Sequence, residues 1–209
     1  MIALDICFSK AKALNIDKSY NCMKKRYFNV PLVEKALQFF LQHPSQEVYL
    51  REYGRILKIS PNSAQRFLNQ FVAQNYLIER KIGHLRYFKA NLESIIFRQL
   101  KVTASLKELE LRGVLYLLRD SGTSHAVLFG SAAHGTNDEE SDMDIVVITS
   151  SKEDVRKALS VIQKSFSQEL SVQIFSWSEW KEQAKANKAF YLDVITKGIA
   201  LIGEKPIVL

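Results

Sequence analysis

The segment from Val127 to Ile148 constrains this chain more than any other. An apolar run, Val127-Leu128-Phe129, ends in Gly130-Ser131; ten residues follow, and Asp142-Met143-Asp144 then opens a second apolar run, Ile145 to Ile148. Two short apolar runs bounded by polar turns predict two strands. Gly130 allows a sharp turn and a close approach of backbone to a phosphate. Ser131 is placed to start a short helix, where free N–H groups and a hydroxyl hold a triphosphate. Asp142 and Asp144 are two apart on a strand, so both point to one face, while Met143 and Ile145 point into the core. Either Asp-x-Asp or Gly-Ser alone is common at a solvated strand end or turn. Their combination at this spacing, between two apolar strands, is specific.

The elements around this segment alternate. Strands are expected at Ala126–Phe129, Met143–Ile148, Ser171–Phe175 and Ile199–Ile202, with helices at Lys152–Gln168 and Trp177–Tyr191. That order predicts a small sheet flanked by helices. Upstream, two helices are expected at Leu92–Leu100 and Leu106–Asp120, the second closed by Gly122. The domain boundary is expected near Thr103-Ala104-Ser105, giving domains at 28–103 and 104–209.

Apolar residues recur at helical spacing from Leu32 to Leu41 and again from Leu50 to Leu57. Ser60 is a good N-cap and Pro61 a good first residue for a third helix ending near Gln74. Two β-prone runs, Tyr76–Lys81 and Leu85–Lys89, flank Ile82-Gly83-His84 and predict a hairpin. Helix, helix, turn, helix, hairpin resembles the winged helix-turn-helix domains of prokaryotic regulators, over about residues 30–90. The resemblance implies that Asn62, Ser63, Gln65, Arg66 and Asn69 reach base edges or phosphates of double-stranded DNA, and that Arg80, Lys81, His84 and Arg86 touch its backbone. Winged helices also serve as protein-interaction and dimerisation modules, and a homodimer is among the expected assemblies.

The Gly130-Ser131 and Asp142-x-Asp144 pattern resembles the nucleotidyltransferase superfamily that includes DNA polymerase beta, and especially its minimal nucleotidyltransferases, over about residues 105–205. That resemblance implies a mixed sheet flanked by helices, a nucleoside triphosphate substrate with ATP favoured, and magnesium or manganese. Gly130 and Ser131 would bind phosphate, and Asp142 and Asp144 would be the catalytic metal ligands. Some minimal nucleotidyltransferases are antitoxins that transfer AMP to a HEPN-domain toxin, which makes a protein acceptor of that type an expected partner. The expected fold class is therefore α+β: an N-terminal winged helix-turn-helix, then a nucleotidyltransferase-fold domain.

Two departures stand out. Active relatives carry a third carboxylate on the next strand, where this chain has Gln173, with Glu169 and Glu179 flanking it. An amide offers a carbonyl oxygen but is a poor base. His134 stands where many relatives have arginine and is read as a surface histidine. The run Asp138-Glu139-Glu140 is read as a solvated loop, and Trp177 and Trp180 as core residues.

Charge divides the chain. Residues 1–100 hold 16 Lys+Arg and 7 Asp+Glu, a net of +9, while residues 101–209 hold 13 and 15, a net of −2. A basic half suits a polyanion. Lys24-Lys25-Arg26 reads as a basic arm or a solvated face, and Cys7 and Cys22 as isolated reduced thiols. No apolar run reaches the ~18 residues of a membrane span, and the first twelve residues do not read as a secretory signal. A cytoplasmic protein is the expectation. Two functions fit: an enzyme transferring AMP from ATP to a protein or small molecule, or a DNA-binding regulator whose second domain is a nucleotide sensor or a catalytically degenerate partner-binding module.

Overall fold

The computed structural model describes residues 31–162 and 170–208. Cys7, Cys22, the 24–26 basic cluster, the end of the expected helix beyond Ile162, and Glu169 lie outside these residues. The described chain divides into two compact units. One holds 31–105 with 134–141, and the other holds 106–133 with 142–162 and 170–208.

The first unit runs α1 (Leu32–Gln42), β1 (Val48–Tyr49), α2 (Leu50–Leu57), α3 (Pro61–Ala73), β2 (Leu77–Ile82) and β3 (Leu85–Ala90). The Ser60 hydroxyl accepts the Ser63 N–H at 3.1 Å and Pro61 occupies the first turn, so α3 starts where its cap dictates. The strands form an antiparallel sheet ordered β1-β3-β2. Its core gathers Phe39, Phe40, Tyr53, Phe67, Leu68, Phe71 and Phe88. β1 was not expected: two residues carry no period, and only pairing with β3 makes Val48-Tyr49 a strand.

One helix, α4, runs unbroken from Ile95 to Leu111. The gap expected between two helices at Thr103-Ala104-Ser105 is absent, since all three residues are helical and Ser105 is buried, but the division between the units does fall after Ser105, within the helix. The interruption comes instead at Gly113, whose φ of +77° starts α5 (Val114–Asp120). Weak helix formers without a Gly or Pro do not stop a helix whose apolar face is packed. Gly122, at φ +73°, closes α5.

The second unit continues with β4 (Thr123–Phe129), α6 (Gly130–His134), β5 (Met143–Thr149), α7 (Lys152–Ile162), β6 (Leu170–Phe175), α8 (Trp177–Ala186), α9 (Lys188–Leu192), a π-helical turn (Asp193–Lys197) and β7 (Ile199–Ile202). The sheet is mixed, ordered β6-β5-β4-β7, with only β5–β6 parallel. Alternation along β5 splits the core. Met143, Ile145 and Val147 pack with Leu118, Val155 and Leu159 on one face, while Val146 and Ile148 pack with Trp180, Tyr191 and Val194 on the other. The architecture is mixed α+β, with small sheets flanked by helices.

Candidate active site

β4 and β5 are antiparallel neighbours, and their register sets Phe129 opposite Asp144. The turn out of β4 is thereby placed beside the start of β5. Gly130 sits at φ +68°, and a Cβ built there would lie 2.7 Å from Asp144 Oδ2. A side chain at 130 would be strained by its backbone and would also collide with the carboxylate. Glycine is needed twice over. Ser131 follows inside the short helix α6.

Asp142 is exposed and immediately precedes β5; Asp144 is half-buried within it. The alternation that sends Met143 and Ile145 inward turns the two aspartates to the other side. Among the described residues, neither carboxylate has an ion pair or side-chain hydrogen bond. Apolar packing through Val146 and Ile148 continues the Asp144 face of the sheet, so the carboxylate stands at the end of a packed apolar surface.

Parallel pairing sets Ser171 beside Asp144 and Gln173 beside Val146, so Gln173 shares the face of Asp144 and is exposed. No third acid joins the two aspartates among the described residues. Glu179 cannot serve. It follows the far end of β6, caps α8 by accepting the Ser176 N–H at 2.7 Å, and is ion-paired with Lys152. The Lys152 ammonium and the Ser176 donors hold its pKa down at about 2. The site thus offers two carboxylates and an amide. Magnesium is commonly held by one or two carboxylates plus substrate phosphates and water, so these residues fit such an ion.

The segment His134–Ser141, which joins the two halves of the motif, belongs to the first unit. A Cβ on Gly135 would lie 2.1 Å from the Arg98 carbonyl oxygen, so backbone packs on backbone there. The acidic run is a loop, as expected, with Glu140 exposed, but its first two residues are tied down. Asp138 accepts the Ser141 hydroxyl at 2.6 Å, and Glu139 accepts the Ser45 N–H at 3.2 Å. Both raise the pKa of Lys101, which is only 2% exposed and donates to the Leu41 carbonyl at 3.0 Å. Burial outweighs them and brings that lysine down to about 8. His134 is not the surface histidine expected: its Nε2 is enclosed and, among the described residues, has no hydrogen-bond partner. Trp180 is core, its indole N–H donating to the Pro206 carbonyl at 2.7 Å. Trp177 is not: it is exposed and stacks on His125.

The residues expected to meet DNA are less uniform than their sequence suggests. Asn62, Gln65 and Arg66 are exposed on α3, with the Arg66 guanidinium over the Phe67 ring. Ser63 is drawn into the helix cap through Ser60. Arg80 is held in a fork by Glu47 over the Tyr87 ring. Arg86 forks Glu79 at 2.7 Å and reaches Asn69 at 2.8 Å. Lys81 and His84 are exposed.

No curated protein and no solved structure matched the chain. A family model described as "Polymerase beta, Nucleotidyltransferase" matches residues 116–206, which hold the Gly-Ser turn, both aspartates and the whole mixed sheet. That segment is a nucleotidyltransferase-fold domain of the polymerase beta type.

Proposed function

We propose that the second unit binds a nucleoside triphosphate with a divalent cation at Gly130, Ser131, Asp142 and Asp144, and transfers its nucleotidyl group to an acceptor. ATP is the triphosphate favoured and AMP the group transferred. A protein, such as a HEPN-type toxin partner, or a small molecule is the acceptor. The observation that carries this reading is the pair of ion-pair-free carboxylates beside a glycine turn into which only glycine fits.

Asp142 and Asp144 would hold magnesium or manganese, which neutralises phosphate charge during in-line displacement. Gly130 lets the phosphates approach the backbone, and Ser131 meets them at the first turn of α6. Gln173 can orient an acceptor through its amide but cannot take its proton, so slow turnover is expected. The test uses ATP labelled at the α-phosphate, with magnesium and cell extract as the acceptor source. Label should pass to an acceptor in a metal-dependent way and fail to do so in D142N/D144N. A chain that neither binds magnesium–ATP nor transfers label would overturn the reading.

Gln173 also motivates a second reading, in which the domain senses a nucleotide and the first unit binds duplex DNA as a winged helix. The exposed Asn62, Gln65 and Arg66 on α3 support it. It predicts duplex affinity that falls steeply with salt. Salt-independent binding, or none, would sink it. An antitoxin that modifies its partner and represses its own operon would satisfy both readings.

A further inference from the structure

The hairpin carries an apolar edge that neither activity explains. β2 lies at the margin of its three-stranded sheet, and among the described residues no strand pairs with its outer side. The register with β3 puts Ile78, Arg80 and Ile82 on one face with Leu85, Tyr87 and Lys89. Ile78, Ile82 and Leu85 are 53%, 51% and 47% exposed. Three large aliphatic side chains, each half in water, along an unpaired strand form a template for another strand.

The sequence of β2 indicates which strand. Ile78-Glu79-Arg80-Lys81-Ile82 is complementary to its own reverse. With a two-fold axis at Arg80, Ile78 meets Ile82 of a second copy and Glu79 meets Lys81 of a second copy, and each pairing occurs twice. Arg80 would face itself, but its charge is already matched by Glu47, and Glu79 would meet the second copy's lysine while still forked by Arg86 on its own sheet. Lys81 is exposed and forms no ion pair among the described residues.

The backbone parity agrees. The two-residue turn Gly83-His84, with Gly83 at φ +58°, closes on the Ile82–Leu85 pair. Closing pairs of such hairpins exchange hydrogen bonds, and the exchange recurs at every second residue. Ile78, Arg80 and Ile82 therefore bond to β3, while Glu79 and Lys81 turn their N–H and C=O outward. The residues with matching charges are also those with free backbone groups.

We propose that a second copy of this chain adds its β2 antiparallel to this edge, joining two three-stranded sheets into one of six strands across a two-fold axis. The interface is isologous, so it closes as a dimer and does not propagate.

Charge exchange in the full chain tests this, with mass read by light scattering and fold checked by circular dichroism. Wild type should be a dimer. K81E sets acid against acid at both crossings, and E79K sets base against base. Each should weaken self-association roughly tenfold or more. An equimolar mixture of the two should recover the dimer, because every position 79 then meets the opposite charge at 81. If E79K fails to fold for want of its Arg86 bond, I78K and I82E serve the same design: each alone dissociates and the mixture reassociates. A wild-type chain that stays monomeric throughout the micromolar range overturns the proposal, as it would if the hairpin served only duplex DNA. So does a dimer that survives every single variant, or a mixture that stays monomeric.

Discussion

Asp142 and Asp144 differ from Arg80 and Arg86 in what their charges are doing. The two aspartates stand at the head of β5 without an ion pair among the described residues. The two arginines each close a fork on a glutamate within their own unit. A carboxylate kept clear of cations retains its full charge for a metal or a phosphate-bound ion. A guanidinium already forked by a carboxylate presents little net charge to a polyanion. Sequence makes all four look like functional charges; geometry leaves only the first pair uncommitted.

The largest effect should come from closing the aspartate site. Gly130→Ala adds a methyl where Asp144 Oδ2 would be 2.7 Å away, at a φ of +68°. Backbone strain alone costs about 1–2 kcal/mol. Gly122→Ala is the matched control, because Gly122 also has a positive φ, +73°, but nothing lies within 4 Å of its added Cβ. Both variants should lose comparable stability in urea. Only Gly130→Ala should also lose magnesium-dependent ATP binding, by roughly two orders of magnitude as a displaced ligand implies. Equal ATP affinity in the two variants would mean that Gly130 shapes the fold and not the site.

The same contrast explains what could be read in advance. The Gly-Ser and Asp-x-Asp spacing was legible because β5 has a strict period of two, which fixes Asp144 opposite the buried Met143 and Ile145. The Gly130–Asp144 contact was not legible, since it depends on the register that pairs Phe129 with Asp144. The third helix was readable from Ser60-Pro61, a local signal. The forks on Arg80 and Arg86 were not, because Glu47 is 33 residues from Arg80 and only the sheet brings them together. Lys101 left a trace: it sits four residues from Phe97 and from Ser105 on α4, in line with Leu109, and all four are buried. A lysine in that row breaks the apolar period, and its burial follows from the row.

Lys101 is intermediate between the two charge pairs, buried yet only partly compensated by Asp138 and Glu139. Its pKa falls from 10.5 to about 8 on folding. Between those values the unfolded chain holds the proton and the folded chain does not, so stability rises with pH across that window and is flat in this respect below it. The rise attributable to this residue is on the order of 3 kcal/mol. Lys101→Met should abolish it, read as the difference between the urea midpoints of the two proteins from pH 8 to 10.5. Parallel curves would show that the ammonium is hydrated and its burial inconsequential.

The smallest effects belong to the arginines, and they separate committed from free charge on one unit. Arg80 is largely exposed and its fork with Glu47 is a surface pair. Arg80→Ala should therefore barely lower stability. For duplex DNA, removing Arg80 also frees Glu47, so net charge changes without the loss of a free cation. Arg66 has no ion-pair partner among the described residues, only the Phe67 ring beneath it. If α3 meets DNA, Arg66→Ala should reduce the salt slope of binding by about one unit, as loss of one phosphate contact does. Arg80→Ala should leave that slope nearly unchanged. The reverse order would mean that the Glu47 fork opens on DNA, and that an intramolecular ion pair here is a reserve of charge released by the ligand.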